Sequence, residues 1–148
     1  MGGEKIYALY QVNLRIEAGE FVAIMGPSGS GKTTLANVIG GLDSLDQGEV
    51  LVDGENIAKL SDKDLSLFRN QKIGFIFQSF NLMPMYTALE NVMIPLVLAG
   101  MNIKERKERA LKWLKAVGLD ARVNHKPAQL SGGQRQRGCI ARALANNP

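Results

Sequence analysis

Residues 26–33 combine the residue types and the spacing of a loop that binds phosphate groups. They read Gly-Pro-Ser-Gly-Ser-Gly-Lys-Thr and match the pattern G-x-x-x-x-G-K-[ST]. Glycine is needed because a Cβ would restrict φ and keep backbone N–H groups from curling closely around phosphate oxygens. The Lys32 ammonium would reach the outer phosphates, and the Thr33 hydroxyl would ligate Mg²⁺. A flexible Gly/Ser turn ahead of a helix is the alternative.

A helix that begins at Lys32 would strengthen this site, since its positive end favours the same phosphate charge. The predicted nucleotide-binding residues are Gly26, Pro27, Ser28, Gly29, Ser30, Gly31, Lys32, Thr33 and Thr34. The motif indicates a nucleotide but does not select a reaction, because GTPases, kinases and many ATPases share it.

A second motif, Leu-Ser-Gly-Gly-Gln, occupies residues 130–134. Ser131 and Gln134 have the spacing of a capping box, which would start any helix. The two glycines between them lack a Cβ, so the same helix start would also suit close contact with an anion. Gln78 lies between the two motifs and follows the apolar stretch 73–77.

With these motifs in this order, the chain resembles the nucleotide-binding subunit of an ATP-binding cassette (ABC) transporter over essentially all of its 148 residues. Residues 41–43 and 69–82 are similar to the macrolide-export and lipoprotein-release branch. The resemblance implies ATP and Mg²⁺ as cofactors, with Thr33 and Gln78 at the metal and Gln78 able to position the attacking water.

The resemblance also implies partners. Two such domains sandwich ATP head to tail in the family, so a second ABC ATPase subunit would present its nucleotide to Ser131, Gly132, Gly133 and Gln134. Residues 78–86 would help to form a groove for a coupling helix of a transmembrane permease, and methionines suit an adaptable docking surface. Local core packing of residues 82–86 is the alternative. The implied location is cytoplasmic, peripheral on the inner face of the cell membrane, where ATP hydrolysis would power export or lipoprotein release.

The elements that must position these residues indicate an α/β protein. The resemblance makes it a P-loop NTPase of the ABC type, a fragment with an antiparallel β portion, parallel core strands and a helical insert. Strands are predicted at residues 12–16, 21–25, 49–52 and 73–77, the second as a buried parallel strand. Helices are predicted at residues 32–39, 62–70 and 104–117, and from 88 and 132 onward.

Several details accompany the predicted helices. Thr87 and Glu90 form a capping box that should start a helix, and Pro95 should bend or end the first part of that helix. Helix 104–117 should bury Ala110, Leu111, Leu114 and Val117. The predicted organisation is a first part of the ATPase core at residues 1–79, a helical subdomain at 80–130, and the signature motif with its helix at 131–148.

Composition excludes several classes of protein. The chain is 45% hydrophobic and 22% charged, which excludes disorder. Residues 92–101 are too short an apolar stretch to span a bilayer, and residues 1–6 suit neither a signal peptide nor myristoylation. The net charge of +4 is dispersed rather than clustered, so no nucleic-acid partner is expected. The single cysteine, Cys139, is expected to be small and buried, and His125 to lie in a loop.

The catalytic carboxylates that the resemblance implies are not found in this sequence. In the family an Asp–Glu pair follows the signature helix, and no such run occurs in this sequence. We therefore expect the 148-residue chain alone to hydrolyse ATP poorly. The backbone edge of the predicted strand 21–25 would be left unpaired, so the chain should associate readily. Otherwise the sequence is an incomplete record of a longer protein. The alternatives are a nucleotide-binding fragment that does not hydrolyse ATP and a soluble ABC ATPase that acts on nucleic acid or the ribosome.

Overall fold

The computed structural model describes residues 7–148. The expectation that residues 1–6 carry neither a signal peptide nor a myristoylation site falls outside the described residues. The chain divides into two compact units, the first ending at Leu60 and the second spanning Ser61–Pro148.

The first unit contains one helix and one small hairpin. Helix α1 spans Lys32–Ile39 and ends at the Gly40-Gly41 pair, as predicted. Strands β1 (Leu51–Val52) and β2 (Glu55–Asn56) pair in antiparallel fashion, with Leu51 opposite Asn56. The Asp53-Gly54 turn between them has positive φ at both residues, which matches the right-handed twist of a tight hairpin. A short 3₁₀ helix, Ile57–Lys59, follows.

Three predicted strands are not formed in the described residues. Residues 12–16, 21–25 and 73–77 belong to no helix or strand, and the predicted strand 49–52 is reduced to β1. A strand exists through the ladder that it shares with a neighbour, and residues 7–148 supply no such ladder outside β1 and β2. The prediction that 21–25 is buried is also wrong, since Phe21 is 99% exposed and Met25 is 88% exposed.

The second unit is built from four helices. They are α2 (Asp62–Lys72), α3 (Ala88–Leu98), α4 (Ile103–Ala116) and α5 (Gly132–Leu144), with short 3₁₀ helices at Asp120–Arg122 and Pro127–Gln129. Helix α2 extends two residues past the predicted end. The side chains of Ser61, Thr87, Asn102 and Ser131 each accept an N–H from the first turn of the helix that follows, so each of the four α-helices in this unit has a local start signal.

The core of the second unit lies between α3, α4 and α5. Leu96, Leu114 and Leu119 are fully buried there, and each such side chain stabilises the fold by about 1.5–3 kcal/mol. Ala110 and Leu114 are buried, as predicted, but Val117 is only half-buried and Leu111 is 37% exposed. The apolar stripe of α4 is narrower than its sequence indicated.

Pro95 lies inside α3 and does not end it. The helix continues because the next turn is intact, with the Ala99 N–H donating to the Pro95 carbonyl at 3.0 Å. Among residues 7–148, no helix is both long enough and apolar enough to cross a lipid bilayer.

Candidate nucleotide site and docking groove

The loop at residues 26–31, which is exposed up to residue 30, depends on its glycines. Gly29 and Gly31 have φ of 80° and 86°, in the left-handed region. A Cβ on Gly31 would lie 2.6 Å from the carbonyl oxygen of Ala8, and one on Gly26 would lie 2.7 Å from the Ser30 Oγ. The curled path of the loop therefore excludes side chains at these positions.

The Lys32 ammonium folds back into this loop. Its Nζ donates to the carbonyls of Gly26 at 2.8 Å and Pro27 at 2.6 Å, and lies 3.5 Å from the Ser30 Oγ. Carbonyl dipoles are weaker partners for an ammonium than the full charges of a phosphate group. The geometry thus places a positive charge where an anion can compete for it.

Helix α1 adds a second source of positive potential. Gly31 provides no side-chain cap, and the first turn contains no acidic residue. The first intrahelical bond joins the Leu35 N–H to the Gly31 carbonyl, so the amides of the first turn have no partner within the helix. Thr33 is exposed and Thr34 half-buried in that turn. The predicted residues 26–34 are therefore gathered in one loop and helix start, where a positive charge and amides without a helical partner suit an anion such as a phosphate group.

The capping box at the start of α5 is formed as predicted. The Gln134 N–H donates to the Ser131 Oγ at 3.3 Å, and the Ser131 N–H donates to the Gln134 Oε1 at 2.8 Å. A Cβ on Gly132 would meet nothing within 4 Å, and one on Gly133 only the Arg137 guanidinium at 4.0 Å. Nothing within the described chain therefore requires glycine at the exposed positions 132 and 133.

Gln78 is exposed in a tight turn. The Phe80 N–H donates to the Phe77 carbonyl at 3.1 Å, and the Asn81 N–H donates to the Ser79 carbonyl at 2.7 Å. This turn and the start of α5 both lie in the second compact unit.

Side chains of α5 reach this turn, and the sequence did not predict these contacts. Arg142 donates to the carbonyls of Phe80 and Asn81, and the Cys139 thiol donates to the Phe80 carbonyl at 3.0 Å. Burial raises the pKa of Cys139 despite the opposing charge of Arg142, so the thiol keeps its proton and remains a donor.

A groove of about 720 Å³ lies beside the start of α3. Its lining residues are mostly apolar: Met83, Pro84, Met85, Tyr86, Glu90, Met93, Ile94, Val97 and Leu98. Met83, Met85 and Tyr86 are 52%, 71% and 48% exposed. Side chains this exposed do not form a local core.

Asn91, which sequence analysis did not identify, holds the wall of the groove. Its side chain is buried, accepts the Met83 N–H at 2.7 Å, and donates to the carbonyls of Met83, Tyr86 and Thr87 at 3.0–3.1 Å. The available signal was an uncharged polar residue directly before the apolar run at residues 92–98 of α3.

Glu90 lies at the rim of the same groove. Its carboxylate accepts the Thr87 N–H at 2.7 Å and the Thr87 hydroxyl at 2.8 Å, which completes the predicted capping box. These hydrogen bonds, first that of the Thr87 backbone, lower the pKa of Glu90, and the Lys126 charge acts in the same direction. The groove therefore combines apolar walls with one stable negative charge.

The remaining candidates have local roles. His125 is half-buried in a loop, with its Nε2 2.9 Å from an Arg122 nitrogen. Cys139 is fully buried, as predicted. Within residues 7–148, no group of three or more His, Cys, Asp or Glu residues is arranged to hold a metal.

Comparison with known proteins provides relatives along the whole chain. The sequence profile described as ABC transporter matches residues 9–148. An ABC transporter ATP-binding protein of Thermotoga maritima is 53% identical over all of this chain and 63% of its own length. MJ0796 of Methanocaldococcus jannaschii is 57% identical over all of this chain and 65% of its own length. The lipoprotein-releasing system ATP-binding protein LolD of Saccharophagus degradans is 52% identical over 99% of this chain and 64% of its own length.

A solved structure extends the likeness to three dimensions. The dimeric post-hydrolysis state of the ATP-binding cassette MJ0796, bound to ADP and Pi, matches with a TM-score of 0.92 and 56% identity. It covers 100% of this chain, which in turn covers 66% of that one. The chain thus spans slightly less than two thirds of the length of these curated relatives.

Proposed function

The chain belongs to the ABC transporter family, and on that premise we propose that it contributes the MgATP-binding site of an ATPase subunit that powers a membrane transporter. The α/β P-loop class predicted from the sequence is confirmed by its likeness to the solved cassettes. The roles of individual residues are part of the proposal.

The observation that carries the proposal is the convergence of positive groups on a glycine-rich loop. Lys32 and the uncapped start of α1 both face the cradle formed by residues 26–31. We propose that residues 26–34 bind the phosphates of ATP and that Thr33 and Gln78 hold Mg²⁺. The ion would supply charge neutralisation on the phosphate oxygens, while Lys32 and the loop amides orient the phosphate chain.

The exposed glycines at the start of α5 support a head-to-tail dimer. Glycine costs a helix about 1 kcal/mol relative to alanine, and the described chain has room for a Cβ at both positions. A close approach by something outside the chain would explain them. We propose that Ser131, Gly132, Gly133 and Gln134 contact the nucleotide held by a second ATPase subunit.

The groove beside α3 supports a permease partner. We propose that residues 78–86 receive a segment of the transmembrane subunit, with the apolar walls of the groove against its apolar side chains. This attachment would place the protein at the cytoplasmic face of the membrane. Residues 80–130 would then be the helical subdomain, which transmits movement between the permease and the first part of the ATPase core at residues 1–79. Residues 131–148 would contact the nucleotide held by the second subunit.

The likeness to LolD favours lipoprotein release or a related export process as the transport reaction. In the full-length protein, Gln78 would position the attacking water, and hydrolysis would drive the transport cycle. Residues 131–148 contain no Asp or Glu. We expect the 148-residue chain to bind nucleotide much better than it hydrolyses it, which parallel measurements of binding and phosphate release would show.

The proposal is tested by replacing Lys32 in the full-length protein. Lys32→Ala should weaken binding of MgATP by about 10- to 150-fold, because it removes a charged hydrogen-bond donor from the phosphates. Isothermal titration calorimetry measures the affinity directly.

Lys59→Ala is the matched control, since Lys59 is an exposed lysine of the same compact unit at the end of the short 3₁₀ helix. It should retain the affinity of the parent protein. Equal affinities for Lys32→Ala and Lys59→Ala would remove the basis of the nucleotide site.

A further inference from the structure

The turn that carries Gln78 adopts an unfavourable backbone conformation. Phe80 and Asn81 have φ of 64° and 49°, in the left-handed region that residues with a Cβ rarely occupy. Two adjacent residues of this kind persist only where surrounding contacts impose the conformation. Because Gln78 is exposed, its position depends on this backbone rather than on contacts of its own side chain.

The contacts that hold this backbone conformation come from one face of α5. Arg142 donates one guanidinium nitrogen to the Asn81 carbonyl and another to the Phe80 carbonyl, the latter at 3.0 Å. The Cys139 thiol also donates to the Phe80 carbonyl, and the Arg135 guanidinium lies 5.5 Å from the centre of the Phe80 ring. The spacing of these three residues places them on a single stripe of the helix.

The same helix begins at the capping box of Ser131 and Gln134, in which Ser131 is exposed. Helix α5 is continuous from Gly132 to Leu144, and a continuous helix moves as one rigid piece. A displacement at its first turn is therefore carried to Arg142 and to the two carbonyls that it holds. No other charged contact to these carbonyls occurs in residues 7–148.

We propose that Arg142 is a positioning residue for the proposed ATPase reaction, because it fixes the Gln78 turn to the helix that begins at the signature motif. The inference rests on the proposed function, in which Gln78 acts on the magnesium ion or the attacking water. Arg142 touches neither nucleotide nor metal in this account and acts only through the backbone that follows Gln78.

A double-mutant cycle in the full-length protein tests the inference, using Arg142→Lys, Gln78→Ala and the double variant. Lysine keeps the charge but cannot bridge two carbonyls with a planar fork. Arg142→Lys should lower kcat about tenfold or more while changing KM for MgATP less than about twofold, because misplacement affects the reacting geometry rather than ground-state binding. In the Gln78→Ala background the same change should have no further effect. Arg137→Lys, at an exposed site on the same helix, is the control and should retain the parent kcat.

Hydrogen exchange gives a readout that does not depend on catalysis. Peptides covering residues 78–82 should exchange faster in Arg142→Lys than in the parent protein, and those covering α1 should not change. A parent kcat in Arg142→Lys, or effects of Arg142→Lys and Gln78→Ala that multiply, would overturn the inference. If the parent protein itself binds no MgATP, the proposed function fails instead, and the exchange result still decides whether Arg142 holds the turn.

Should Arg142→Lys fail to fold, Cys139→Ala replaces it in the cycle, since it removes only the thiol donor to the Phe80 carbonyl. A fall in kcat of about two- to fivefold that disappears in the Gln78→Ala background would support the inference. An unchanged kcat, or a fall that persists without Gln78, would contradict it.

Discussion

At the scale of single residues, the chain uses glycine for two physical reasons. Gly31 has positive φ and no space for a Cβ beside the Ala8 carbonyl, so the fold itself requires it. Gly133 has neither restriction, so only a ligand or partner outside the described chain would require it. Substitution by alanine separates these two cases.

Gly133→Ala should therefore stabilise the protein while abolishing its function as a dimer. We expect the free energy of unfolding to rise by about 0.4–1 kcal/mol, because alanine reduces the entropy of the unfolded chain and favours helix. ATP hydrolysis by the full-length protein should fall sharply, since a methyl group would obstruct the partner's nucleotide. Guanidinium melts and a phosphate-release assay measure the two quantities.

Gly138→Ala is the matched control, because it lies in the same helix and a Cβ there would make ordinary contacts at 3.9 Å with Leu82 and Leu119. It should leave hydrolysis intact. If Gly133→Ala is as active as Gly138→Ala, the signature motif is only a helix cap.

Asn91 leads to a prediction about the docking groove. Asn91→Ala would leave one N–H and up to three carbonyls of residues 83–87 without their partner. The free energy of unfolding should fall by about 2–4 kcal/mol. Asn124→Ala, at an exposed position in a loop, should change it by less than about 0.5 kcal/mol. Urea melts that give similar values for both variants would show that Asn91 does not hold the groove.

At the scale of secondary-structure elements, helix starts were predictable and strands were not. Thr87 and Ser131 act within one turn of their own position, so four residues of sequence contain the complete signal. A strand at 21–25 depends on a ladder with distant residues, and no local pattern provides it. The exposure of Leu111 was missed for a related reason, since the width of the buried stripe on α4 is set by how α3 and α5 pack against it.

The candidate site divides in the same way. Residues 26–34 are contiguous, and their spacing alone predicted the loop and the helix that follow each other in the structure. Arg142 reaches Phe80 and Asn81 across more than fifty residues of sequence, and only the packed helices reveal that contact. Local chemistry was therefore predictable, and positioning across the second unit was not.

The capping box of α3 predicts a dependence of stability on acidity. The hydrogen bonds from Thr87 lower the pKa of Glu90 in the folded state. Ionised Glu90 therefore stabilises the fold above its ordinary pKa of about 4.3, and this contribution is lost as the pH falls through the lower folded value. Glu90→Gln should be less stable than the parent protein at neutral pH, and the difference should shrink below about pH 4.

Thermal melts of both proteins between pH 3 and 7 measure this change. In a Thr87→Val background, which lacks the hydroxyl donor, the acid-dependent difference should be smaller. A difference in stability that is constant from pH 7 to pH 3 would be inconsistent with a role for ionised Glu90.

At the scale of the whole molecule, two kinds of association are expected, and nucleotide distinguishes them. The head-to-tail dimer of the proposed function requires MgATP between the phosphate loop of one subunit and the signature motif of the other. Phe21 and Met25, by contrast, form part of a largely exposed apolar run whose backbone has no ladder in the described residues. Such a run associates with other apolar surfaces and unpaired strands whether or not nucleotide is present.

The 148-residue chain should accordingly self-associate without nucleotide, and Phe21→Lys should reduce this because it places a charge in the apolar run. Sedimentation velocity at increasing protein concentration measures the effect. Leu51→Lys provides the control and should leave the association unchanged. Leu51 is exposed too, at 59%, but it lies in the paired strand β1. Equal association of the parent chain and the Phe21→Lys variant would exclude residues 21–25 as the contact, and association that appears only with MgATP would assign it to the nucleotide-dependent dimer.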